Sequence, residues 1–364
     1  MTRSPVASRA MRWIATGWIP AGAVVLLALT AASPASAAPA PTWLPAATNV
    51  DARLRGLSAV SPLAAWVSGD HGTILRTVDG GHGWDSVAPA GTEELDFRDI
   101  QAFDADRAVA LSIGAGERSR IYRTDDGGRH WSTVFTNPDP RAFYDCLAFF
   151  DRQHGLVVGD PVDGTVQVLI TADAGRTWQP VPGGALPAAL SGEAQFAASG
   201  QCVATDGARD AWIGTGGGAR ARVLHSGDRG RTWTVADTPL ASGPSAGVFA
   251  VAFRDPRHGL AIGGDYAAPT ATGTALALSE DGGRTWRAPR DGPAGYRSGV
   301  AWLAGSTVIA VGPTGSDLSL DGGWHWHRID SGSFDTVDCA FRVACWAAGE
   351  HGRVVRLSPP ALPL

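Results

Sequence analysis

Thr77-Val78-Asp79-Gly80-Gly81-His82-Gly83-Trp84 decides the fold, because the chain repeats its pattern five more times. The copies are Thr124-Asp125-Asp126-Gly127-Gly128-Arg129-His130-Trp131, Thr171-Ala172-Asp173-Ala174-Gly175-Arg176-Thr177-Trp178 and Ser226-Gly227-Asp228-Arg229-Gly230-Arg231-Thr232-Trp233. Ser279-Glu280-Asp281-Gly282-Gly283-Arg284-Thr285-Trp286 and Ser319-Leu320-Asp321-Gly322-Gly323-Trp324-His325-Trp326 complete the set. Their period of roughly 40 to 55 residues is that of propeller blades.

The residue types have a local reason. An Asp carboxylate accepts backbone N–H groups inside a tight turn, and a Gly two places on tolerates positive φ. The closing Trp supplies a large apolar face for packing against a neighbouring blade. Before each octet stands a short apolar strand such as Ile74-Leu75-Arg76, and before that another ending in Gly, as in Ala65-Trp66-Val67-Ser68-Gly69. Strand and turn alternate, which predicts an antiparallel meander. A seventh copy runs from Cys345 to Leu357 without an octet after it. Thr42-Trp43-Leu44 is then the candidate for the missing outer strand, and the expected architecture is an all-β, seven-bladed propeller closed by the N-terminal strand. Closure of this kind leaves no sheet edge exposed. The octets resemble the Asp box, the hairpin motif of sialidase-like (BNR-repeat) propellers; Asp79, Asp126, Asp173, Asp228, Asp281 and Asp321 are read as structural.

Residues 1–37 read as a signal peptide: three arginines, an apolar run from Ile14 to Ala32, then Ala35-Ser36-Ala37. An uncleaved membrane anchor is the competing reading. The remainder, 38–364, reads as one propeller domain in a periplasmic or extracellular setting. Three of the 30 arginines and none of the 35 acids precede Ala38, which leaves a formal charge of −8 beyond it and argues against a nucleic-acid partner. Every basic residue is arginine, so Schiff-base chemistry, a lysine-held pyridoxal cofactor and a phosphate-loop lysine are excluded. The four cysteines allow three pairings; an exported chain favours Cys339 with Cys345 across a short turn and Cys146 with Cys202 across blades, against buried free thiols.

Function is sought at the mouth of the central channel, where the starts of the inner strands and their loops converge. The candidates there are Arg55, Arg98, Asp99, Phe143, Tyr144 and Asp145. Further along come Asp160, Glu193, Ser199, Asp265, Tyr266, Tyr296 and Arg297. One reading makes these ordinary solvated loop residues. The other makes them a polar funnel in which Arg55, Arg98 and Arg297 hold a carboxylate, as guanidinium groups do bidentately, while acids and tyrosines orient the ligand.

Blade-length repeats, the octets, the strand entries His154-Gly155-Leu156 and His258-Gly259-Leu260 and the leader together resemble the photosystem II stability and assembly factor family over roughly residues 40 to 358. The resemblance implies a non-enzymatic, monomeric scaffold without a cofactor or metal, binding a protein partner such as a membrane-protein assembly intermediate through an arginine patch. That patch is thin here, and the lysine-free composition does not require a photosynthetic host. A sialidase-like glycoside hydrolase is the enzyme rival, casting Arg297, Tyr296, Tyr144, Asp99 and Glu193 in catalytic roles, but the Arg-Ile-Pro segment of sialidases is absent. An oxidoreductase using the channel is a weaker rival, because the nine histidines show no metal-ligand spacing outside hairpin turns. Gly243-Pro244-Ser245-Ala246-Gly247 and Gly214-Thr215-Gly216-Gly217-Gly218 mimic a nucleophile elbow and a dinucleotide loop, yet neither sits between a strand and a helix.

Overall fold

The computed structural model describes residues 41–358 except Thr272; the expected signal peptide, 1–37, lies outside the described residues. Seven antiparallel sheets form a β-propeller. Their inner strands are Leu54–Ala59, Asp96–Ala102, Tyr144–Phe149, Val203–Asp206, Ala246–Phe253, Gly299–Trp302 and Thr336–Ala340, which number blades 1 to 7. In blade 7 the outer strand is Trp43–Ala46, pairing Trp43 with Leu357 and Ala46 with Val354, so the first described strand closes the ring. Blade 5 has three strands, and its fourth is reduced to a single bridge between Leu278 and Arg287. Pro289 and Pro293 follow at once, and proline offers no N–H to extend the ladder.

The core is distributed around the ring. Each hydrophobic cluster joins two adjacent blades: Leu54, Val67 and Leu75 of blade 1 pack on Trp346 of blade 7, and Trp66 of blade 1 packs beneath Phe97 and Ile100 of blade 2. Trp66, Trp212 and Trp346 are fully buried. Removing roughly 200 Å² of indole from water stabilises the fold by about 5 kcal/mol each, before the entropy cost of ordering is counted.

The six repeated turns share one hydrogen-bond scheme. In the first, Thr77 Oγ1 donates to Asp79 Oδ1 (2.8 Å), and the Gly81 and Gly83 N–H groups donate to Thr77 Oγ1 and Asp79 Oδ1, both at 3.0 Å. Gly81 has φ +84°, and a Cβ there would lie 2.9 Å from the Trp346 ring. The carboxylates of Asp126 and Asp321 are held down at a pKa of about 2, chiefly by His130 N–H for Asp126 and, against the opposing effect of burial, by the His325 side chain for Asp321. Two disulfides are present: Cys339–Cys345, directly paired across blade 7 with Cα atoms 4.0 Å apart, and Cys146–Cys202, with Cα atoms 6.0 Å apart.

Candidate functional site

A stretch that carries no blade strand occupies the channel. Between blades 3 and 4 the chain turns inward, and residues 195–202 reach across the ring before Val203 begins the next inner strand. Phe196 stacks on Phe249 of blade 5 with ring centroids 4.2 Å apart. Ser199 Oγ donates to the Ser298 carbonyl of blade 6 at 2.7 Å. Gln201 Nε2 donates to the Val300 and Val337 carbonyls (2.8 and 3.0 Å), and Gln201 Oε1 accepts from Val300 N–H. Gly200 is required where the segment passes blade 2, since a Cβ would stand 2.1 Å from Asp99 Oδ1. The Cys146–Cys202 bond then ties this plug to blade 3.

Two hollows remain, one on each side of the plug. The hollow at the strand ends, about 280 Å³, is lined by Ser58, Gln101, Trp302, Asp338 and Arg342. The hollow at the strand starts is larger, about 560 Å³. Its cationic side has Arg53, Arg55 and Arg98, with Asp335 among them; its acidic wall, on blade 3, carries Asp145 and Asp160 beside Gln195 of the plug; Phe143, Phe196, Phe249, Tyr266 and Tyr296 supply aromatic surface.

The three arginines are not equivalent. Arg53 donates through Nε and Nη2 to Asp335 (2.9 and 2.7 Å) and lies 3.3 Å from Glu350. Arg98 is spent on Asp96 (2.8 Å) and the Ala197 carbonyl of the plug. Arg55 makes no hydrogen bond among the described residues: its Nε is buried and unpartnered, and its nearest carboxylate, Asp335, is 4.0 Å away. Burial, followed by the charge of Arg98, lowers its pKa to about 10, so it remains cationic at neutral pH. On the acidic wall, Asp145 is 1% exposed and its Oδ2 has no partner. Burial and then the neighbouring Asp160 charge push Asp145 well above the usual carboxylate range. Asp160 accepts from Gln195 N–H at 3.0 Å and is raised by burial to about 6.

Of the sequence-read candidates, the strand-start hollow therefore gathers Arg55, Arg98, Phe143, Asp145, Asp160, Tyr266 and Tyr296. The others lie elsewhere. Arg297 is fully buried within blade 6, donating through Nε to Asp317 at 2.7 Å and through Nη1 to Thr314 Oγ1 at 2.9 Å with Nη2 also against Asp317, and it does not line this hollow. Glu193 is sealed in an ion pair with Arg222 and accepts from Thr215 Oγ1 at 2.6 Å. Tyr144 packs between blades 2 and 3 against Phe135 of blade 2, and burial lifts its hydroxyl to about 12. Asp99 lies beyond the plug, accepting from Ile100 and Leu147 N–H at 2.8 and 2.6 Å, while Asp265 accepts from Ala267 N–H at 2.9 Å in a turn. Ser199 belongs to the plug. The catalytic cast of the sialidase-like rival is thus scattered among separate environments. Arg53, Gln195, Phe196, Phe249 and Asp335 belong to the site and were not among the sequence candidates; Arg53, two places before Arg55 at the same strand entry, is the one with a signal in the sequence.

Fold and site together define a seven-bladed propeller with a plugged channel and a charged, aromatic-lined hollow at the strand-start mouth. No family model and no curated protein matches the sequence. Solved structures are similar in fold. YCF48 bound to D1 peptide aligns with a TM-score of 0.60 at 16% identity over 86% of this chain and 94% of that one. YCF48 from Cyanidioschyzon merolae aligns with a TM-score of 0.64 at 16% identity over 86% and 98%. The GH74 xyloglucanase from Xanthomonas campestris aligns with a TM-score of 0.63 at 17% identity over 89% of this chain but 55% of its own length.

Proposed function

We propose that this protein is a non-enzymatic binding scaffold whose strand-start hollow receives a carboxylate of a protein partner, its C-terminus or an acidic side chain. The observation that carries the proposal is Arg55: a half-buried guanidinium, its Nε sealed from water, on a 560 Å³ hollow with donors unspent. A carboxylate is the group that satisfies such a fork bidentately. The fold likeness to a YCF48 bound to D1 peptide supports a peptide ligand. In this reading the six repeated turns are Asp boxes with a structural role. The chain works outside the cytoplasm with residues 1–37 as its leader, which agrees with two disulfides that an oxidising compartment preserves.

One observation weighs against the hydrolase alternative. Of the residues a sialidase-like mechanism would use, Tyr296 lines this hollow, while Arg297, Tyr144, Asp99 and Glu193 lie outside it.

The test is a peptide array presenting the same sequences with free and amidated C-termini, probed with the disulfide-intact protein and Arg55→Gln. A charge-assisted bond of about 1.5–3 kcal/mol predicts a loss of about 10- to 100-fold on amidation or substitution for peptides that enter by their C-terminus. Binding that is indifferent to Arg55→Gln overturns the proposal.

A further inference from the structure

The acidic wall of the same hollow has a chemistry that carboxylate binding does not use. Asp145 Oδ2 and both amide atoms of Gln195 are buried without a hydrogen-bond partner, and both residues line the hollow. Asp145 and Gln195 are 1% and 3% exposed. Unsatisfied groups at that depth each cost about 1–3 kcal/mol unless a ligand supplies the missing bond.

The charged side chains of the surroundings do not supply it. Arg98, from blade 2, acts on Asp145 through its charge but directs its donors to Asp96 and the Ala197 carbonyl. Arg53 is held by Asp335 and Glu350. Asp160 keeps one carboxylate oxygen on Gln195 N–H, which orients its side chain beside Asp145.

We infer that Asp145, Asp160 and Gln195 form a cation subsite for an organic ammonium or guanidinium group, such as a Lys or Arg side chain of the bound partner. Two carboxylates and an amide oxygen provide acceptors on one side of such a group, and Phe143 and Phe196, on the same hollow, provide π-faces to cover it. A metal ion is less well served: among the described residues no group of three His, Cys, Asp or Glu side chains comes together. The upward pull of burial on both carboxyls fits a pocket made to be neutralised by a positive ligand. With Arg55 lining the same hollow, the ligand is bipolar, carrying a carboxylate and a cation.

This inference rests on the hollow being a ligand site, but it is tested without any carboxylate. The probe is agmatine, a guanidinium amine, titrated into the full disulfide-intact protein by ligand-observed NMR with N-butylurea as the uncharged comparison. The expected result is saturable agmatine binding at least tenfold tighter than N-butylurea, reduced at least tenfold in Asp145→Asn and in Asp160→Asn. Asp160→Asn, the less buried change, keeps the test open if Asp145→Asn does not fold. Agmatine that binds no better than N-butylurea, or equally well in the wild-type and Asp160→Asn proteins, overturns the cation subsite. A carboxylate-dependent peptide result would still stand in that case, so the two ideas fail separately.

Discussion

Replacing Cys146 and Cys202 together by alanine perturbs the bond that anchors the channel plug. It closes a loop with a sequence separation of 56, whereas Cys339–Cys345 spans only 6. Loop-closure entropy for such lengths gives about 4 kcal/mol for the long loop and about 2 kcal/mol for the short one at 25 °C. Cys146 and Cys202 are also fully buried among Leu156, Val158 and Ile213, so truncating them leaves voids that enlarge the difference, while Cys339 is partly exposed. Cys146→Ala/Cys202→Ala is therefore expected to lose about 2 kcal/mol more than Cys339→Ala/Cys345→Ala. Urea unfolding at neutral pH, followed by tryptophan fluorescence, measures both against the wild type. Equal losses, or a larger loss for the hairpin pair, would refute the argument that the long bond restrains a plug the unfolded chain would otherwise release.

Three further perturbations have worked signs. Gly81→Ala meets both a left-handed backbone and the Trp346 ring, whereas Gly164→Ala at φ +76° meets open space; the first should lower stability by about 1–3 kcal/mol more than the second, read as a shift in urea midpoint. Asp160 has its folded pKa raised to about 6, so its contribution is complete below about pH 4 and is lost as pH rises through 6; Asp160→Asn should flatten the fall in stability between pH 4 and 7, an effect of at most about 3 kcal/mol, and an unchanged slope in pH-resolved unfolding would show that Asp160 is not the titrating group. Arg222→Leu strands the buried Glu193 carboxylate and should cost about 3–5 kcal/mol, whereas Arg141→Ala, which breaks exposed pairs with Asp139 and Asp163, should leave the urea midpoint nearly unchanged.

The ring was legible in the sequence because its specification is local. The Ser/Thr, Asp and Gly of each octet bond to one another within a few residues, so the pattern survives without knowledge of distant partners. The plug was not legible for the opposite reason. Gln195-Phe196-Ala197-Ala198-Ser199-Gly200-Gln201 has no charge and no periodicity, and the partners of Ser199 and Gln201, Ser298 and Val300, each lie 99 residues away. Its trace was the spacing from Asp173 to Asp228, the longest between octets. The site was half legible. Of the neighbours at two strand entries, Tyr144 with Asp145 and Tyr296 with Arg297, one of each pair lines the hollow. Asp145 and Tyr296 enter it; Tyr144 turns against Phe135 of blade 2, and Arg297 is held by Asp317 within blade 6. Bulges in the inner strands, as between Phe97 and Asp99, shift the alternation of side chains and are not encoded by any pattern visible in one chain.

The central claim, that a protein partner enters by the strand-start mouth, is tested most directly by site-specific photo-crosslinking from each end of the channel. A benzophenone side chain replacing exposed Tyr266 samples the strand-start hollow, and one replacing Arg342 samples the opposite hollow. With the same array-selected peptide, the account predicts crosslinking from position 266, competed by excess free-carboxylate peptide, and none from position 342. Crosslinking from 342 alone, or equal uncompeted labelling from both ends, would contradict it.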